Sequence, residues 1–461
     1  MSNYNIMSKQ KKIFIQRLFQ ILASKEYLLL KYVGNSLSEL EEQSDLDILL
    51  PNAKDIDEVM AFVEQETNVL QYDLRCQSSM LQVFVYFNDG GFLQVDFLYK
   101  LIRKYTIYLP NKYLLNNIQS LSDGTRTYNL NCLLEHLILF HVLNGAGMPP
   151  KYVHFFETLP TNTQTNLLAF FNKKYHTKVL SFNNLMQYDA KVHEQLKKYI
   201  NTIEQNSTWH KVKNGFKYFK DVLGLLKQAK ATVISFSGVD GAGKSTLLEE
   251  TKRVLQNKYR QKVVVLRHRP SVLPILSAWR HGKKKAEQRA AATLPRQGAN
   301  KSKWGSMMRF AYYYTDYVFG QFYVWARYSL RNYVVIYDRY YFDFIVDAKR
   351  SNIAGNSSWI KPLYKLVHKP DVNILLYAKP ETILQRKQEL NASTIKILTT
   401  KYVNLFKELA QKNKNKQYVA IENVHKEDTL QTIVAAYLKS LASTKKKMLA
   451  KTEKIIWSVN A

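Results

Sequence analysis

Short apolar runs alternate with longer amphipathic stretches along these 461 residues, and the character of the alternation changes twice. Up to about Leu101 the runs Tyr27–Val33, Leu46–Leu50, Leu81–Phe87 and Phe92–Leu98 have strand length, and Ile56–Gln65 carries apolar residues at helical spacing. This predicts a small mixed α/β domain over 1–101. From 102 to 228 the pattern turns helical, as in Leu130–Leu143 and Asp189–Ile203, with turn signals at Asn144-Gly145 and Met148-Pro149-Pro150. After Lys230 the runs Ala231–Ser237, Val263–Leu266, Tyr333–Tyr337 and Val372–Tyr377 read as buried strands separated by long helical stretches. That order predicts an α/β domain over 229–445, a parallel sheet with helices on both faces. Residues 446–461 form a basic tail ending in Ile455, Ile456 and Trp457. A solvated helix is its plain reading, and peripheral membrane contact the sharper one.

Charge narrows the partners more than the fold. The formal net charge of +30 favours polyanions such as nucleoside triphosphates, nucleic acid or an anionic membrane face. Basic residues crowd between Arg260 and Arg309, where Glu287 is the single acid. Cys76 and Cys132 lack metal-ligand spacing, so free thiols and a reducing, cytoplasmic setting are expected. No apolar run is long enough to span a bilayer, and Lys9, Lys11, Lys12 and Arg17 interrupt any signal-peptide core. The 31 tyrosines are expected mostly in half-buried positions with wet hydroxyls. His136 and His141, five apart, read as core or capping residues rather than ligands.

The sharpest motif is Gly238-Val239-Asp240-Gly241-Ala242-Gly243-Lys244-Ser245-Thr246, which fits G-x-x-x-x-G-K-[ST] between a predicted strand and a predicted helix. Gly238, Gly241 and Gly243 let successive backbone N–H groups face a phosphate chain, and the helix after them adds its positive end. Lys244 would reach the outer phosphates of ATP, and the Ser245 hydroxyl would ligate Mg²⁺, with Asp240 and Thr246 completing the loop. Downstream, Asp338-Arg339-Tyr340 closes a buried-type strand. A carboxylate there can hold the metal's water shell, and the arginine can neutralise phosphate oxygens.

With these residues the stretch from about Ala231 to Leu441 resembles the thymidylate kinase family. Gly238 to Thr246 is close to that family's loop, Asp338-Arg339-Tyr340 matches its hallmark triplet, and Pro370-Asp371-Val372, Pro380-Glu381 and Arg386 look like its late strand and the helix leading into the lid. The resemblance implies that Lys244, Arg339 and Arg386 contact donor or transferring phosphates and that Asp240 lies near the acceptor. Departures cluster on the acceptor side. Asp343 and Asp347 stand where the family has neutral groups, the helix arginine near the base has no counterpart in Phe310–Tyr328, and Arg-Phe-Pro becomes Arg267-His268-Arg269-Pro270. A hydroxyl acceptor benefits from a carboxylate that takes its proton, so Asp343 and Asp347 suit a hydroxyl-rich acceptor such as a sugar or glycan better than thymidylate, and the acceptor expected is a nucleoside monophosphate or a sugar or glycan hydroxyl. Alternatively these acids pair with Lys349 and Arg350 on a helix face.

Near the amino terminus, Gly34-Asn35-Ser36 precedes Ser44-Asp45-Leu46-Asp47-Ile48-Leu49. Strand alternation puts Asp45 and Asp47 on one side, and Asp96 sits in the apolar run Leu93-Gln94-Val95-Asp96-Phe97, where an unpartnered acid is costly. A shared metal would provide the partner; solvated acids on an edge strand are the alternative. The arrangement over Phe14–Tyr99 resembles the polymerase-β-like nucleotidyltransferase fold, although Asn35 interrupts its glycine-serine element. That resemblance implies Gly34 and Ser36 on a triphosphate, Asp45, Asp47 and Asp96 on metals, and the helical region as a substrate-facing appendage. The expectation for the whole chain is an ATP- and Mg²⁺-dependent phosphotransferase behind a nucleotidyltransferase-like domain. A nucleic-acid-binding or sensing protein that uses ATP as a switch is the alternative.

Overall fold

The computed structural model describes residues 7–185, 189–228, 231–270, 302–353 and 358–442. They divide into two compact units, one drawn from Met1–Leu225 and the other from Leu226–Lys447. The expected boundary at Leu101 falls inside the first unit. The basic tail, and most of the stretch from Arg260 to Arg309, lie outside the described residues.

The first unit begins with α1 (Lys9–Leu22), β1 (Leu28–Leu30), β2 (Leu46–Leu49), α2 (Asp55–Gln65), β3 (Val69–Gln77), β4 (Met80–Phe87) and β5 (Phe92–Leu98). The Ser8 hydroxyl caps α1 by accepting from the Lys11 N–H, and Phe14, Ile15, Leu18 and Leu22 recur at helical spacing to face the core. The five strands form one sheet in the order β1-β2-β5-β4-β3. Only β2 and β5 pair in parallel, and that register sets Asp47 opposite Asp96. Two small hairpin-like pairs follow, β6 (Leu101–Arg103) with β7 (Thr106–Leu109), then α3 (Asn111–Leu115), then β8 (Ile118–Ser120) with β9 (Arg126–Tyr128). Helices α4 (Leu130–Leu143), α5 (Pro150–Glu157), α6 (Thr161–Tyr175), α7 (Ala190–Thr202) and α8 (Thr208–Gln228) complete it. His136, inside α4, is buried between the hydroxyls of Tyr108 at 3.2 Å and Tyr128 at 2.8 Å, a core position.

The second unit is α/β throughout: β10 (Val233–Ser237), α9 (Lys244–Asn257), β11 (Lys262–Arg267), α10 (Lys303–Arg327), β12 (Tyr333–Asp338), α11 (Phe342–Val346), α12 (Ile360–Leu363), β13 (Val372–Tyr377), α13 (Pro380–Arg386), α14 (Ala392–Lys412), β14 (Gln417–Glu422) and α15 (Lys426–Ala442). Its five strands are all parallel, in the order β11-β12-β10-β13-β14. All five residues of β10 are buried, as expected for a strand covered on both faces. Tyrosine use differs from expectation here. Tyr317, Tyr337, Tyr340, Tyr341 and Tyr402 are fully buried. Their hydroxyls survive burial by donating inward, as Tyr341 does to the Ile360 carbonyl at 2.8 Å and Tyr340 to that of His368 at 2.5 Å. No helix among the described residues is long and apolar enough to cross a membrane.

Candidate functional site

β10 is the central strand of the parallel sheet, flanked by β12 and β13, so the loop leaving it opens where the strand order reverses. Two glycines are dictated by geometry. Gly238 has φ +134°, and a Cβ there would stand 2.0 Å from the Leu376 carbonyl oxygen of β13. Gly243 has φ +90°, and its Cβ would meet the Asn423 amide at 2.3 Å. Gly241 lies over Ile383 of α13. Lys244 opens α9 but points back: its ammonium donates to the Val239 carbonyl at 2.7 Å and stands 3.9 Å from Asp240, with only 6% of the residue exposed. Burial, and then the neighbouring Arg339, push its pKa well below the ordinary lysine value. Ser245 and Thr246 are exposed on the first turn of α9. The residue that braces the loop, Asn423 just beyond β14, donates to the Ala242 carbonyl at 2.9 Å. Its distance in sequence gave no signal of this role.

β12 delivers the second half of the site. Asp338 ends that strand in register with Phe236 of β10, and Arg339 follows with φ +77°. The Arg339 guanidinium donates to Asp343 at 2.7 Å and to Asp240, and Arg350 reaches the other oxygen of Asp240. Asp343 is completely buried and also accepts from the Tyr402 hydroxyl at 2.8 Å. Its two strong partners therefore make it a brace for Arg339 rather than a carboxylate facing open space. Arg350 pairs with Asp240. Asp347 lines a crevice beside the loop with Asp240, Arg339, Arg350 and Glu389. Arg386, exposed at the end of α13, brings Nη1 to 3.7 Å from the Cβ position of Gly243 and so stands beside the loop.

The altered Arg267-His268-Arg269-Pro270 segment also has a structural account. Arg269 forms a buried ion pair with Asp316 of α10 while lying 5.1 Å from the Tyr313 ring centre. The pair ties the segment after β11 to α10. His268, at φ +64°, is half-buried beside Phe344, and the desolvation of its ring pushes its pKa down to about 4.

The acidic constellation of the first unit is looser. Lys31 holds Asp47 at 2.6 Å, and the amides of Gln94 and Gln82 donate to Asp96 at 2.9 and 3.1 Å. Burial, followed by the charge of Asp47 and more weakly of Asp45, raises the Asp96 pKa to about 6. Among the described residues no group of three or more His, Cys, Asp or Glu is gathered closely enough to hold a metal ion. Gly34 packs against Tyr32, whose hydroxyl would stand 2.3 Å from a Cβ there, and the Ser36 hydroxyl meets that of Ser38 at 2.5 Å.

The sequence model of the family described as thymidylate kinase matches residues 236–434, from the end of β10 into α15. The second unit carries a P-loop kinase domain. Among the 112 solved chains that match is thymidylate kinase from Ehrlichia chaffeensis, 16% identical to this kinase domain's chain, aligned over 45% of this chain and 99% of its own with a TM-score of 0.30. No curated protein matches. In the kinase domain the residues present fit a triphosphate and Mg²⁺: a buried lysine short of negative partners, glycines that leave room for phosphate, and Ser245 with Asp338 as oxygen donors.

Proposed function

We propose that the second unit transfers the γ-phosphoryl group of ATP to a small acceptor, a nucleoside monophosphate or a sugar or glycan hydroxyl. The observation that carries this reading is Lys244. A buried ammonium whose nearest partner is a backbone carbonyl, with a carboxylate only at 3.9 Å, is under-compensated until an anion arrives. Phosphate oxygens on the loop amides provide that anion. Mg²⁺, held by Ser245 and screened through Asp338, would neutralise charge between the outer phosphates when bound. Arg339 and Arg386 approach the loop from β12 and α13 and would stabilise the charge that builds on the transferring group. Asp343 fixes Arg339, and Tyr402 fixes Asp343. On the acceptor side Asp347 and Glu389 line the crevice next to Arg350, a mixture that suits a hydroxyl-bearing acceptor. For the first unit we propose metal-dependent nucleotidyl transfer on Asp45, Asp47 and Asp96, supported by the charge crowding that raises Asp96. Both activities suit the cytoplasm, as do two buried cysteines outside any disulfide.

The test is a mass-spectrometric screen of nucleoside monophosphates and sugars for ATP-dependent phosphate gain. Transfer should survive Asp45→Ala and vanish with Lys244→Ala. Undiminished transfer in the Lys244→Ala protein would sink the assignment, and thymidylate as the sole good acceptor would refute the hydroxyl role given to Asp347.

A further inference from the structure

The first unit contains a cavity of about 330 Å³ that neither catalytic reading uses. Four lysines from separate segments converge on it: Lys100 just after β5, Lys112 on α3, and Lys213 and Lys217 one turn apart on α8. Among the described residues no carboxylate lines it. The ion pairs of this unit fall elsewhere among the described residues, on lysines such as Lys25, Lys31, Lys174 and Lys198. The nearest acid along α8, Asp221, is occupied by the Ser78 N–H at 2.9 Å and the Ser78 hydroxyl at 2.6 Å. That contact and the Asn214 amide on the Tyr105 carbonyl at 3.3 Å seat α8, so the lysines are held together despite their repulsion. The cost is visible at Lys100, whose pKa is lowered by burial and then by Lys217 and Lys213.

The remaining lining defines the ligand further. Asn111, Gln205 and Asn214 offer amides for hydroxyl groups, His210 adds an imidazole, and Ile107 is the only apolar side chain. Among the described residues the lining holds no Phe, Tyr or Trp face on which a nucleobase could stack, His210 being its one aromatic ring. The volume suits a compact small molecule. Two phosphate groups, each carrying about −1.5 to −2, match four ammonium groups. We propose that this cavity binds a phosphorylated sugar with two phosphate groups, clamped by Lys100, Lys112, Lys213 and Lys217 with its hydroxyls on the amides.

The site is independent of the kinase loop and is tested with that loop silenced. Isothermal titration of the full-length Lys244→Ala protein with fructose 1,6-bisphosphate should show one-site binding that weakens as salt rises. Inorganic pyrophosphate serves as the second probe and separates a diphosphate preference from two spaced phosphates. Adding Lys213→Gln and Lys217→Gln should raise Kd at least tenfold for the better probe while leaving the circular dichroism and thermal transition unchanged. Lys100→Gln, outside α8, provides the check should the double replacement disturb that helix. Absence of binding by both probes at millimolar concentration overturns the proposal, as does binding indifferent to the lysine replacements. A single-stranded oligonucleotide that displaces the sugar bisphosphate and binds more tightly also overturns it, in favour of a nucleic-acid groove.

Discussion

The acidic residues of the two units meet opposite fates. Around the kinase loop three acids have an arginine each or shared: Asp240 is held by Arg339 and Arg350, Asp343 by Arg339, and Asp316 by Arg269. In the front sheet the parallel register of β2 and β5 sets Asp47 against Asp96, and Asp96 has only amide donors. The consequence appears in the charged group that is left over. Near the loop it is a cation, Lys244, and in the front sheet an anion, Asp96. Buried charge left over after pairing tells which ligand charge a site is short of. On the reading proposed above, the loop is short of phosphate and the front sheet of a cation.

Four changes bear on this contrast. Lys244→Ala removes the under-compensated cation and should lower phosphoryl transfer on the order of 10³-fold, measured as product formed per unit time, with the front sheet's thermal transition unaffected. Gly243→Ala places a Cβ against Asn423 at a positive φ, and should destabilise the second unit by roughly 1–3 kcal/mol in chemical denaturation while abolishing ATP binding.

Asp96→Asn tests the front sheet. The folded Asp96 keeps its proton to about pH 6, above its unfolded value, so the folded state binds more protons between about pH 4 and 6 and stability falls as pH rises through that window. The amide should therefore stabilise the unit by about 2 kcal/mol at pH 7.5 and by nothing at pH 4, read by calorimetry across pH. Mg²⁺ should narrow that difference in the parent protein. Asp47→Asn removes only the second cause of the shift. Carbon-detected NMR titration should show Asp96 moving part of the way back toward the ordinary carboxylate range, and an unchanged titration would mean that burial alone sets its value.

Legibility differed between the same two regions. The loop was readable because its chemistry is contiguous: nine residues, a fixed spacing, and a strand and helix at either end. Val372–Tyr377 and Leu130–Leu143 emerged with the boundaries their apolar periodicity marks. β3 did not emerge, although Gln71, Asp73 and Arg75 alternate with apolar residues at strand period, because that alternation is weaker than the continuous apolar runs beside it. Asn423 was silent since nothing local distinguishes it, and its partner Ala242 is 181 residues away. Asp343 was noticed as an unusual acid, but the residue that decides its role, Tyr402, arrives from α14.

Hydrophobic periodicity and loop spacing are local properties, so the sequence by itself determined the parallel-sheet class of the second unit, the phosphate loop and the charge of its chief residues. Which charges are cancelled is a matter of distances of a few ångströms between segments remote in the chain. Only the tertiary structure could decide that Asp343 braces Arg339, that Asp316 answers Arg269, that Asp47 crowds Asp96, and that four lysines scattered from Lys100 to Lys217 share one cavity.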